Sequence, residues 1–190
     1  MHPVTHLLAG WTVASAAKLS HRDRVVVGIV AVVPDMDGLG FPVEFATRNS
    51  ADPLLWYSDY HHVLGHNIGL ALFCCGIALV IADRRWTAGL LTFLSFHTHL
   101  LGDLAGSRAA DGYQWPIPYL EPFSDAWQLT WSGQWGLSTW PNTAISIALM
   151  GLVVYLAWWR GHSPLSLFSR RADRVFVTTL RCRFGNPDAQ

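Results

Sequence analysis

Residues 86–103 read WTAGLLTFLSFHTHLLGD, an apolar run of almost membrane length that ends on two imidazoles and a carboxylate. About 20 apolar residues rising 1.5 Å each cross a bilayer core, so the run reads as a spanning helix. His99 and Asp103 stand at i and i+4, on one face of that helix, where two side chains meet one point. Similar stretches flank it. Val63–Ala82, polar only at His66 and Asn67, and Thr143–Trp159 approach spanning length, while Val4–Ala17 and Val25–Val33 reach it only if extended into Leu19 and Asp35.

Composition agrees with that class. The 190 residues suit one compact domain, and 51% hydrophobic content, 14% charged content and a mean hydropathy of +0.25 depart from ordinary soluble proteins. The expected fold is all-α: a polytopic membrane bundle of about five helices over residues 1–160, followed by a basic tail over residues 161–190. Five spans put Lys18, Arg22, Arg24, Arg84, Arg85, Arg160, Arg170, Arg171, Arg174, Arg181 and Arg183 on one side, and only Arg48 and Arg108 on the other. This asymmetry puts the N-terminus outside and the tail in the cytoplasm. A cleavable signal peptide is the rival reading of the first segment; without a basic n-region, and with His6 interrupting its apolar part, cleavage is not expected.

Nine of the thirteen acids fall on the outer side of the same drawing, and so do the polar clusters. His6 begins helix 1, Asp35 and Asp37 end helix 2, His61, His62 and His66 begin helix 3, and His99 and Asp103 end helix 4. Ionisable groups in apolar segments are costly unless paired, and a divalent cation supplies that pairing. The expectation is therefore a metal site at the outer helix ends. His97, roughly opposite His99 on its helix, is not expected to be a ligand. Cys74, Cys75 and Cys182 give neither a disulfide framework nor a thiolate site.

Two outer segments, Asp35–Tyr60 and Leu104–Trp140, are rich in Gly, Pro and aromatics. Trp127, Trp131 and Trp135 would share a helical face and read as an interfacial aromatic belt. The tail arginines, with Phe168, Val175, Phe176 and Leu180 among them, suit an amphipathic helix on anionic lipid or a disordered segment. Zero formal net charge and the topological role of the basic residues argue against nucleic-acid binding.

Five motifs in order resemble the bacterial membrane-bound metal-dependent hydrolases, a family distantly similar to zinc-dependent phospholipase C. They are Thr5-His6-Leu7-Leu8-Ala9-Gly10, Pro34-Asp35-Met36-Asp37, His61 through His66, His99-Leu100-Leu101-Gly102-Asp103, and Trp115-Pro116 with Pro122-Phe123-Ser124. The resemblance covers roughly residues 1–160. It implies an inner-membrane enzyme whose metal ligands are His6, Asp35, Asp37, His61, His66, His99 and Asp103. The third motif departs from the family's usual His-Arg, since His62 stands where the arginine is expected.

Seven ligands exceed what one tetrahedral zinc uses, so two ions fit better, zinc first, with manganese or iron open. The expected reaction is hydrolysis of a phosphoester in a lipid or lipid-linked substrate by a metal-activated water. Asp35 or Asp37 would bridge the metals or accept the proton, and Arg108 is a candidate phosphate clamp. A metal-ion transporter, or a non-catalytic metal-binding membrane protein, is the alternative class. An intramembrane metalloprotease is disfavoured because no His-Glu-x-x-His helix is present.

Overall fold

The structure, a computed structural model, describes residues 1–187. Eight α-helices hold more than half of these residues: α1 (Pro3–Ala14), α2 (His21–Val30), α3 (Phe41–Thr47), α4 (Trp56–Tyr60), α5 (Ile68–Ile81), α6 (Arg85–Gly106), α7 (Trp140–Arg160) and α8 (Arg170–Phe184). A two-residue antiparallel ribbon, β1 (Ile117–Pro118) with β2 (Gln128–Leu129), braces the long connection between α6 and α7.

Local chemistry sets the helix limits. Proline opens α1, α3 and α7 within the first two positions, where its missing N–H costs nothing. Ser20 caps α2 and Asn67 caps α5, each accepting from a backbone N–H three residues on, at 3.2 and 2.9 Å. Gly161 ends α7 with φ of +77°, a left-handed closure suited to glycine. Beyond α2, Pro34 turns the chain into a 3-10 segment, Pro34–Gly40, that carries Asp35 and Asp37.

Close approach of α1 to α2 depends on Gly10. A Cβ there would lie 2.3 Å from the Ala31 Cβ and 2.9 Å from the Gly28 carbonyl. Phe96 and Leu100 of α6 pack with Val30, Ala71 and Cys74, while Leu8 and Trp11 of α1 pack with Val153 of α7. Such burial is the main favourable term in holding the helices together.

The expectation of about five membrane helices is not met. Among the described residues only α7 is long and apolar enough to cross a membrane, with a second crossing only if α2 and Pro34–Thr47, bent by 54°, count as one. The reason is physical. The 12 residues of α1 and 14 of α5 extend only about 18 and 21 Å at 1.5 Å per residue, against a core of about 30 Å. α6 has 22 residues but dilutes its apolar run with Thr87, Thr92, Ser95, His97, Thr98, His99 and Asp103. Only 22% of the apolar window of α7 is buried, so it is not a helix enclosed by its own protein.

The Trp127–Trp135 segment also differs from expectation, being loop and β2 with no shared helical face. In the tail, α8 is helical; residues 188–190 lie outside the described residues.

Helix directions sort the polar groups to two ends. Thr5 meets Ser146 at 2.7 Å and the Trp11 ring meets His162, so α1 and α7 run side by side in the same direction. Asn142, at the start of α7, holds the Gly106 carbonyl at 2.8 Å, and Asp23, at the start of α2, holds the turn between α5 and α6. The start of α1, the exit of α2, the entry of α5 and the end of α6 therefore converge at one end. Lys18, Arg22, Arg24, Arg84, Arg85 and Arg160 gather at the other.

Candidate metal centre

Asp103 is the hub. Its side chain is 2% exposed, and Oδ1 lies 3.1 Å from His6 Nε2, while Oδ2 lies 2.9 Å from His99 Nε2 and 3.2 Å from His66 Nε2. The Met1 ammonium also pairs with Oδ1. His6 and His99 stack with centroids 3.8 Å apart. Asp35 comes from the 3-10 segment, with Oδ1 3.7 Å from His99 Nε2 and Oδ2 buried without a hydrogen-bond partner.

Two ligand groups result: His6, Asp35, His99 and Asp103, and His62, His66 and Asp103, each with ligand atoms within 4.8 Å of one another. The His99 tautomer supports the fit. Its Nδ1 is 2.8 Å from the Ala31 carbonyl, so Nδ1–H donates there and Nε2 turns a lone pair inward. That lone pair faces the Asp103 carboxylate, another acceptor, at 2.9 Å. Acceptors facing one another in a buried pocket need a cation or additional protons between them. The donor set, imidazoles and carboxylates without sulfur, suits zinc or another borderline divalent ion.

Asp37 stands behind the candidate ligands. Its Oδ2 accepts from Gly65 N at 3.0 Å and lies 3.1 Å from His66 Nδ1; its Oδ1 lies 2.8 Å from His61 Nδ1. A carboxylate on the far nitrogen of an imidazole orients that ring and raises its basicity toward a metal. Gly65 permits this packing, since a Cβ would sit 2.1 Å from the Pro34 carbonyl oxygen. Tyr57 stacks on His61 at 4.5 Å between centroids, and Trp115 packs edge-on against His61 and at a tilt against His62, giving the cluster an aromatic wall.

Of the seven residues expected as ligands, the structure brings His6, Asp35, His66, His99 and Asp103 into the two groups. Asp37 and His61 form the supporting layer. Arg108 donates to the Ser132 carbonyl at 2.8 Å and makes no hydrogen bond or ion pair with the cluster. His97 lies outside it, with Nδ1 2.8 Å from the Phe93 carbonyl and Nε2 2.8 Å from the Tyr119 hydroxyl.

Sequence reading placed His62 in the outer histidine cluster, as a candidate additional ligand in place of the family's arginine, and assigned no role to Gln134 or Asn142. His62 is buried, and that burial pushes its imidazole well below the ordinary histidine range. Gln134 donates to the Asp103 carbonyl at 2.9 Å and to Ser107 Oγ at 3.1 Å. With Asn142 on Gly106, it satisfies the open carbonyls at the end of α6 and so fixes the segment that carries Asp103. Gln134 is one of three glutamines in the α6–α7 connection, with Gln114 and Gln128, so its role was legible only once α6 was known to end there.

A family model described as YdjM inner membrane protein matches residues 1–176. No curated protein and no solved structure matches the chain.

Proposed function

We propose that this chain, which belongs to the YdjM inner membrane protein family of bacteria, is a metal-dependent hydrolase that cleaves a phosphoester bond in a lipid or lipid-linked substrate. One observation carries the reading. Imidazoles from α1, the entry of α5 and the end of α6 converge on a single buried carboxylate, Asp103, with Asp35 of the 3-10 segment set against His99. His6, Asp35, His66, His99 and Asp103 would hold divalent ions, zinc first. A bound ion supplies Lewis acidity toward a phosphoryl oxygen and an acidified water.

The chain's own residues divide the remaining work. Asp35, 16% exposed and with one oxygen unpartnered, is the group free to take up a proton. Asp37 orients His66, and Ala31 fixes the ring of His99. Trp115 and Tyr57 restrict water on the His61 side.

Two apolar grooves beside the cluster favour an amphiphilic substrate. One, of about 620 Å³, runs between α1 and α7 along Val4, Leu8, Ile147 and Met150. The other, of about 480 Å³, is lined by Val63, Leu64, Leu70, Phe73 and Phe123, next to His62 and His66 in the chain. Arg160 ends α7 and Arg170, Arg171 and Arg174 come after it, so the positive-inside bias favours a cytoplasmic C-terminal end for that helix. The cluster end would then face the periplasm.

Detergent-purified protein is expected to contain zinc by elemental analysis and to release phosphate or a phosphorylated headgroup from vesicles of phosphatidylethanolamine and phosphatidylglycerol. His99→Ala should lose both properties. Bound metal with no ester cleaved, together with metal-dependent ion flux across vesicles, would favour transport over hydrolysis.

A further inference from the structure

His62 is the most unusual residue near the cluster. Its φ is +67°, in the left-handed region that non-glycine residues rarely enter and that persists where surrounding structure enforces it. Its side chain is 4% exposed, and Nδ1 is buried without a hydrogen-bond partner. The Nε2 atom lies 3.8 Å from Asp103 Oδ2, beyond a hydrogen bond, and the ring stacks on His66 with centroids 4.1 Å apart. A buried imidazole with neither nitrogen hydrogen-bonded is expensive, and nothing in the packing of helices requires one here.

We infer that His62 completes a second cation position with His66 and Asp103, distinct from the position formed by His6, Asp35 and His99 with the same carboxylate. This rests on the metal-site reading above and adds the residue that makes the site binuclear. The two oxygens of Asp103 support the division. Oδ1 faces His6, while Oδ2 faces His66 and His62 as well as His99, so the carboxylate is placed to bridge. The left-handed backbone at His62 brings adjacent His61 and His62 to different tasks, one on Asp37 and the other toward Asp103. Three protein donors also leave a tetrahedral position open, as in catalytic zinc sites, whereas the His6 position already has four. The second position is therefore where an exchangeable water or substrate oxygen is held.

The test is zinc stoichiometry on metal-stripped, full-length protein in detergent, by titration and elemental analysis. Wild type should bind two equivalents. His62→Gly, which keeps the left-handed backbone without a Cβ, should melt no lower than wild type when metal-free and bind one equivalent. His6→Ala should also bind one, and His62→Gly/His6→Ala should bind none. With cobalt, wild type should give the magnetic coupling of neighbouring ions, and either single variant should lose it. Two equivalents retained by folded His62→Gly, or one bound by wild type, overturns the second position. Two equivalents without phosphoester cleavage leaves this inference standing and defeats the hydrolase reading instead.

Discussion

The two ends of the bundle bury the same residue type by opposite means. At the basic end, Asp23 is fully buried and accepts the backbone N–H groups of Asp83 and Arg84 at 2.8 and 3.1 Å, and Asp173 accepts the N–H and hydroxyl of Ser163, both at 2.7 Å. At the other end, Asp103 is surrounded by imidazoles, and Asp35 leaves one oxygen unpartnered. A carboxylate saturated by backbone and hydroxyl donors holds a turn in place. One surrounded by imidazoles would, on the proposed reading, be open to a cation. Burial of an acid alone therefore does not mark a candidate site; the chemical kind of its partners, saturated backbone donors or titratable imidazoles, separates the two ends.

The largest expected effect separates these cases directly. Asp103→Ala should reduce bound zinc to below about one tenth of wild type and turnover by at least about a thousandfold, because it removes the shared ligand and the charge that gathers the imidazoles. Asp23→Ala should leave zinc per folded chain unchanged. Its cost falls on stability, about 2–4 kcal/mol for two stranded backbone donors, read as a lower thermal midpoint in detergent. Equal zinc loss in both variants would erase the distinction between the ends.

Asp37→Asn sharpens the comparison within the cluster end. The amide keeps shape but weakens the hold on His66 and His61, and zinc affinity should fall about 10–100-fold with the fold intact. A complete loss of zinc would move Asp37 from the supporting layer to the ligands.

Much of this division was legible in the chain, for reasons that differ by element. The i, i+4 pair His99 and Asp103 fixes its own geometry once α6 is a helix, and Pro34 announces the turn that delivers Asp35. The sequence separation between His61, His62 and His66 says nothing of φ, so the left-handed residue that exchanges their roles was invisible. The number of crossings failed for another reason. Apolar runs such as Val4–Ala17 report burial without reporting length, and α1 stops at Ala14, where the Ser15 hydroxyl bonds back to the Trp11 carbonyl at 2.8 Å. The stabilising acid Asp23 was equally hidden, since its partners are backbone groups 60 residues away.

The smallest effect belongs to the basic end and concerns acid. His162 follows α7, its Nδ1 buried and unpartnered; burial, and then the nearby Arg24 charge, push its pKa from the ordinary 6.5 down to about 4. The unfolded chain thus takes up a proton near pH 6.5 that the folded chain refuses until about pH 4. The contribution of His162 is fully present above pH 6.5 and is lost as pH falls through that window, where the unfolded state binds more protons. The ring is partly exposed, so solvent screening reduces the effect to on the order of 1 kcal/mol. His162→Phe, compared with wild type as metal-stripped protein so that ligand protonation cancels, should flatten that part of the stability profile. Profiles that stay parallel across the window would show that acid sensitivity resides wholly at the cluster end.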